Sequence, residues 1–178
     1  MPNKKYFLAI VIPEPLFTKV EEVKHSLLES HGLKGALRSP AHITLHRPFE
    51  WKEEKEKLLI EKLGEFKNSG KFFVELKGFA FFEPRVIYVN VVGNESISLL
   101  HNELARFAQK ELKLLNEIND LRGFHPHVTV AFRDLKKPLF YTLQSEFRGK
   151  EFVGTFDYKG FSLLKLEKTW EVLCDFPT

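Results

Sequence analysis

An unbroken apolar run from Tyr6 to Ile12, stopped by Pro13 and Pro15, predicts a first strand buried on both faces. From Leu16 to about His31 the apolar positions Val20, Val23, Leu27 and Leu28 recur at helical spacing, and Gly32 supplies a C-terminal stop. A loop from Lys34 to Ser39 delivers the chain into a short alternating strand that Pro48 is expected to end. The run Trp51 to Phe66 then predicts a second helix, with Leu58, Leu59 and Leu63 on one side and its many charges on a solvated face. Phe72 to Leu76, Gly78 to Phe82 and, after Glu83-Pro84-Arg85, Val86 to Val92 read as a meander. Asn94 to Leu115 is the longest helical pattern, striped by Ile97, Leu100, Leu104, Phe107 and Leu112. A loop through Gly123 leads to another alternating strand, a short helix over Pro138 to Phe147, and three strands at Glu151 to Phe156, Gly160 to Leu166 and Thr169 to Phe176. The class is α+β, rich in antiparallel pairing.

Two of these strands repeat one pattern. Ser39-Pro40-Ala41-His42-Ile43-Thr44-Leu45-His46 and Phe124-His125-Pro126-His127-Val128-Thr129-Val130-Ala131 each place a proline just ahead of a His-x-Thr-x core with apolar x positions. Side chains alternate along a strand, so His42 and Thr44 share one face and Ile43 and Leu45 the other; His127 and Thr129 are likewise set against Val128 and Val130. Each strand is half core and half site. The two histidines lie nearly half the chain apart, and helices and strands recur around each. The expectation is one domain over residues 1–178, made of two pseudo-symmetric lobes that turn their motif strands toward a central cleft.

Composition narrows the class of function. With 43% hydrophobic and 29% charged residues the chain is globular, and its 18 phenylalanines predict a core built largely on rings. A net charge of +3 permits an anionic ligand, whereas a duplex-binding protein usually carries a denser basic stripe. The single Cys174 excludes an intramolecular disulfide and offers no cysteine pair for zinc, which points to a reducing compartment. Tyr6 to Ile12 lacks the cleavage pattern of a signal peptide, and no segment has the length of a membrane span. A cytoplasmic, monomeric protein is expected, the symmetry being already internal.

Paired histidines and hydroxyls suit displacement at phosphorus. The attacking and leaving oxygens stand on opposite sides of the phosphate, so one group takes a proton and another gives one. Histidine, with an ordinary pKa of about 6.5, fills either role near neutrality. Thr44 and Thr129 can donate to the non-bridging oxygens. Gly-rich phosphate loops, a G-x-S-x-G elbow and an H-E-x-x-H helix are all missing from the sequence. Two other readings compete. His42, His46, His125 and His127 could converge on a transition metal, although no carboxylate stands at ligand spacing and the hydroxyls would then have no purpose. The cleft could also bind nucleotides or RNA ends without turnover, although anion binding alone has no need of two titrating groups.

The two tetrapeptides His42-Ile43-Thr44-Leu45 and His127-Val128-Thr129-Val130, in a two-lobed chain of this length, resemble the 2H phosphoesterase superfamily, in its 2′-5′ RNA ligase-like or cyclic phosphodiesterase-like branch. The resemblance implies a bilobal α+β fold around a cleft and no metal cofactor. It also implies action on 2′,3′-cyclic phosphates or 2′-5′ linkages at RNA or nucleotide termini, with the two histidines dividing the base and acid roles. Family members often carry an arginine five positions after the second histidine; here Phe132 stands there and Arg133 follows. Strand parity would bring Arg133 to the face of His127. By the same parity His46 would face the cleft as a substrate contact, and Arg47 would join it only where Pro48 twists the strand end. His125 reads as structural or exposed, and His25, His31 and His101 as surface residues. Hydrolysis is the favoured direction, because water drives the equilibrium toward opened esters.

Overall fold

The computed structural model describes residues 2–68, 70–116 and 123–178. In chain order the regular elements are β1 (Asn3–Val11), α1 (Leu16–His31), β2 (His42–Lys52), α2 (Glu56–Gly64), β3 (Phe73–Phe82), β4 (Val86–Val91), α3 (Glu95–Leu112), β5 (His127–Ala131), α4 (Lys137–Arg148), β6 (Val153–Asp157), β7 (Gly160–Leu166) and β8 (Trp170–Pro177), with a 3-10 turn at Gly35–Arg38 and another at Glu53–Lys55. Among the described residues the strands form two antiparallel four-stranded sheets, in the orders β2-β1-β7-β8 and β5-β4-β3-β6. The fold is α+β.

Both sheets place a His-x-Thr strand at one edge, beside the strand that precedes it by one helix: β1-α1-β2 in the first sheet and β4-α3-β5 in the second. The connectivity repeat therefore begins at β4, with α2 and α4 closing the two units. The motif strands β2 and β5 touch each other, while α1 packs against β5 and α3 against β2. Each motif strand thus has its apolar back near a helix from the other half.

The alternation of β1 separates core from cleft. Tyr6, Leu8 and Ile10 join one large cluster with Ile43 and Leu45 of β2, Val128 and Val130 of β5, and Val20, Leu59, Leu104, Phe140 and Phe147 of the helices. Phe7 and Ala9 point the other way and form a small cluster with Leu164, flanked by Val11 and Trp170. Ala9 is paired with Thr44 and Val11 with His42, and residues directly opposite share a face. Fully burying a side chain such as Ile43 or Leu45 stabilises by about 1.5–3 kcal/mol. A one-residue slip would exchange both for His42 and Thr44, so the register that presents the histidine is strongly specified.

The element ends have local causes. Left-handed Gly32 (φ 69°) closes α1, its N–H reaching the Leu28 carbonyl, and the Asn94 side chain caps α3 by accepting from the N–H groups of Ser96 and Ile97. Four expectations are corrected. Pro48 does not end the first motif strand: β2 lies at a sheet edge, where a missing N–H costs no ladder bond, and it continues to Lys52 opposite Asn3. The second helix therefore starts at Glu56, and Trp51 is a strand residue. The expected strands at Phe72–Leu76 and Gly78–Phe82 are one bent β3, with Gly78 at φ 71° inside a register shift. The longest helix stops at Leu112, where Lys113 turns left-handed; most of the loop expected to follow it lies outside the described residues.

Candidate active site

Residue i−2 orients each motif histidine. The Nδ1 of His42 lies 2.7 Å from the Pro40 carbonyl, and the Nδ1 of His127 lies 2.7 Å from the His125 carbonyl. A carbonyl can only accept, so both rings carry a proton on Nδ1, and proton transfer in the cleft falls to Nε2. His42 is half-buried against Phe7, ring centroids 4.9 Å apart. Burial pushes its pKa down to about 4; the Pro40 bond opposes this, while the positive charges of Lys24 and His127 add to it. It therefore stays neutral between about pH 4 and 6.5, where an ordinary histidine is mostly protonated. His127 sits against Phe82 and Tyr88, at 4.9 and 5.1 Å between centroids.

The two strands bring His42, Thr44, His127 and Thr129 to the wall of a single cleft of about 280 Å³. Phe7, Trp170, Val86 and Phe132 give it apolar surface, and Arg38 and Arg133 give it positive charge. Two hydroxyls, two imidazoles and two guanidiniums around so small a volume suit one phosphate group carrying an apolar or aromatic substituent.

The cleft rim is tied across the two halves. Asp134 accepts from the backbone N–H of Lys34 at 2.7 Å and of Gly35 at 3.2 Å, joining the turn after β5 to the 3-10 turn before β2. A Cβ on Gly35 would collide with the Phe132 carbonyl, so only glycine permits this approach. Strand parity does not place Arg133, because β5 has ended at Ala131. It stands instead at φ 66° in a tight turn closed by the Asp134 N–H on the Phe132 carbonyl at 2.9 Å. A non-glycine residue holds that conformation only when its surroundings impose it, and here the Asp134 tie does so. Arg38, Ser39, Phe7 and Trp170 were not singled out from the sequence. Arg38 and Ser39 directly precede Pro40 and could have been found by that adjacency; Phe7 and Trp170 reach the cleft only through sheet pairing.

Other predicted contacts lie elsewhere. His46 is fully buried, on the core face, because a bulge at Leu45 shifts the register between Ala9↔Thr44 and Leu8↔His46 and reverses the parity. Its Nδ1 meets the Arg47 carbonyl at 2.8 Å, its ring packs edge-on against Phe49, and its Nε2 has no hydrogen-bond partner among the described residues. Arg47 is exposed and does not line the cleft; its N–H donates to the Asn116 side chain, which also donates to the Leu45 carbonyl and so brackets the bulge. His125 lies outside the cleft, 3.2 Å from the Tyr88 hydroxyl. His25 and His31 are exposed as expected, but His101 is buried and stacked on Phe124 with centroids 3.8 Å apart. The four histidines of the metal reading therefore do not converge. A larger hollow of about 670 Å³ opens beside β6 and the end of β8, but no histidine or arginine lines it, and the phosphate-directed groups lie in the smaller cleft.

A two-lobed fold with one His-x-Thr strand per sheet, the two meeting at a small basic cleft, is the architecture that the resemblance of the two tetrapeptides implies. The sequence profile of the 2′-5′ RNA ligase superfamily matches residues 12–170, which include both motif strands. The chain belongs to that superfamily, the 2H phosphoesterases. Among curated protein sequences none matches it. Among solved structures it is similar to TT0787 of Thermus thermophilus, with a TM-score of 0.67 and 20% identity over 97% of each chain. It is also similar to E. coli LigT complexed with 3′-AMP, with a TM-score of 0.66 and 19% identity over 99% of this chain and 98% of LigT. The MHV ns2 PDE domain follows the same fold at a TM-score of 0.54 and 16% identity, over 93% of this chain and all of that domain.

Proposed function

We propose that this protein is a metal-independent phosphoesterase that opens 2′,3′-cyclic phosphates, or cleaves 2′-5′ phosphodiesters, at RNA or nucleotide termini. The single observation that carries the reading is the pair of imidazoles, each with Nδ1 bound to a backbone carbonyl, on the walls of one cleft. Neutral His42 takes the proton of the attacking water through Nε2, and His127, protonated, returns one to the departing ribose oxygen. As charge builds on the non-bridging oxygens, the Thr44 and Thr129 hydroxyls donate to them, and Arg133 and Arg38 neutralise them from the rim. Trp170, half-buried on the cleft wall and braced edge-on by the buried Phe7, offers a ring on which a base can stack. The synthetic direction uses the same groups with the roles exchanged. LigT crystallised with 3′-AMP supports a nucleotide-sized ligand for this fold. No helix among the described residues is long and apolar enough to cross a membrane, a finding that leaves β-barrels untouched. The free Cys174 fits a reducing compartment, and the repeat β1-α1-β2 and β4-α3-β5 supplies both motif strands from one chain, so we propose a cytoplasmic monomer.

The test is turnover of the four nucleoside 2′,3′-cyclic monophosphates by protein treated with EDTA. Ring opening is expected. Binding without opening would make the cleft a recognition module, and activity lost to the chelator and restored by a divalent ion would overturn the metal-independent mechanism.

A further inference from the structure

On its buried side, among Leu16, Val20 and Leu27, α1 carries one charged residue, Lys24, which is 2% exposed. A buried ammonium is costly unless its protons find acceptors. Lys24 Nζ donates to Glu21 Oε1 at 2.9 Å and to the Ser39 carbonyl at 3.0 Å, and the same Glu21 oxygen accepts the Ala41 N–H at 2.9 Å. The ion pair grips the chain on both sides of Pro40. Pro40 has no N–H of its own, and its carbonyl is the acceptor that orients His42. Packing does not explain the charge, since an apolar residue of similar volume would serve the helix as well. At the second motif the Tyr88 hydroxyl lies 3.2 Å from the His125 Nε2.

We propose that the Glu21–Lys24 pair is a positioning device for His42: it fixes the carbonyl that holds the ring in its Nδ1–H form and sets a positive charge behind it, making His42 the proton acceptor in the ring-opening direction. The functional half of this rests on the two-histidine reading above. Among the described residues, the charged and titratable groups around His42 are Lys24 and Glu21 from α1, with His25 of the same helix beside Ser39 and Pro40, His127 from β5, and Arg38 and Arg133 on the cleft wall; β1 and β8 present the neutral Phe7 and Trp170. Lys24 and His127 both disfavour a second proton on His42. Without the Lys24 charge the imidazolium is less disfavoured, so the His42 titration moves up.

The experiment is an NMR titration of the His42 ring, run beside the pH dependence of kcat/KM, in wild type, Lys24→Gln and Lys24→Arg. Wild-type His42 is expected to be neutral and protonated on Nδ1 at pH 7, titrating below a free imidazole. In Lys24→Gln the His42 titration and the acidic limb of the rate rise together by about 0.5–1 pH unit, and Lys24→Arg returns both toward wild type. The double variant Glu21→Gln/Lys24→Gln leaves no unpaired carboxylate and covers failure of the single variant to fold. Unchanged titration in a folded variant, or a wild-type ring protonated on Nε2 alone, overturns the proposal. The two readings fail separately: the expected titration without turnover strikes the enzymatic reading and the acceptor role, whereas normal turnover with unchanged titration strikes the positioning alone.

Discussion

Replacing His42 by asparagine should flatten the acid side of the stability profile. Asn keeps a donor where Nδ1 stood, so the Pro40 carbonyl stays paired, but it cannot titrate. In the folded wild type, burial pushes His42 from 6.5 down to about 4. Between those values the unfolded chain binds more protons than the native one, so the stabilisation is complete above about pH 6.5 and is lost as the pH falls toward 4. Integrated from pH 7 to pH 5, this one group removes about 2 kcal/mol. Burial also pulls His46 and His101 down, which adds loss of the same sign, but in both proteins equally. The assay is urea unfolding at the two pH values with m held common. Wild type should lose about 2 kcal/mol more than His42→Asn on going from pH 7 to pH 5; equal losses, or a larger loss in the variant, would refute the buried neutral imidazole.

Gly35→Ala should lower stability by about 1–3 kcal/mol and raise KM for a cyclic phosphate, because the new Cβ meets the Phe132 carbonyl and the Asp134 carboxylate in the tie that carries Arg38 and Arg133; thermal melts and steady-state kinetics read the two effects. Lys165→Ala strands the Glu56 carboxylate, which Lys165 and the Tyr6 hydroxyl now share, and the Lys165 side chain is only 11% exposed. A loss of about 2–3 kcal/mol at pH 7 is expected, less than for a fully buried pair because Glu56 is 23% exposed, with ring opening retained since this cluster lies off the cleft.

Most of the fold could be read along the chain because its periodicities are local. The 3.6-residue stripes of α1 and α3 and the alternation of the motif strands each reflect one element burying one face. The readings that failed depend on pairing. Pro48 looks like a stop until β2 is known to be an edge strand, and His46 looks like a cleft residue until β1 imposes the bulge at Leu45. The cleft shows the same division. The two His-x-Thr copies announce themselves by repetition, whereas Arg133, expected on the face of His127 by strand parity, reaches the cleft wall through a left-handed turn that parity does not describe. Phe7, Arg38 and Trp170 come from three separate elements with no shared spacing, so no linear pattern could have joined them. Lys24 was silent for another reason: within a helix rich in Lys and Glu, a buried ion pair has the same letters as a solvated one.

Two histidines acting as base and acid would show most directly in the pH profile of kcat/KM for a nucleoside 2′,3′-cyclic phosphate, measured for wild type, His42→Ala and His127→Ala. The account predicts a bell for wild type, with an acidic limb well below the ordinary histidine value. Each variant should lose about 100-fold or more, His42→Ala with the acidic limb gone and His127→Ala with the basic limb gone. A wild-type profile without limbs, or full activity in either variant, would contradict it.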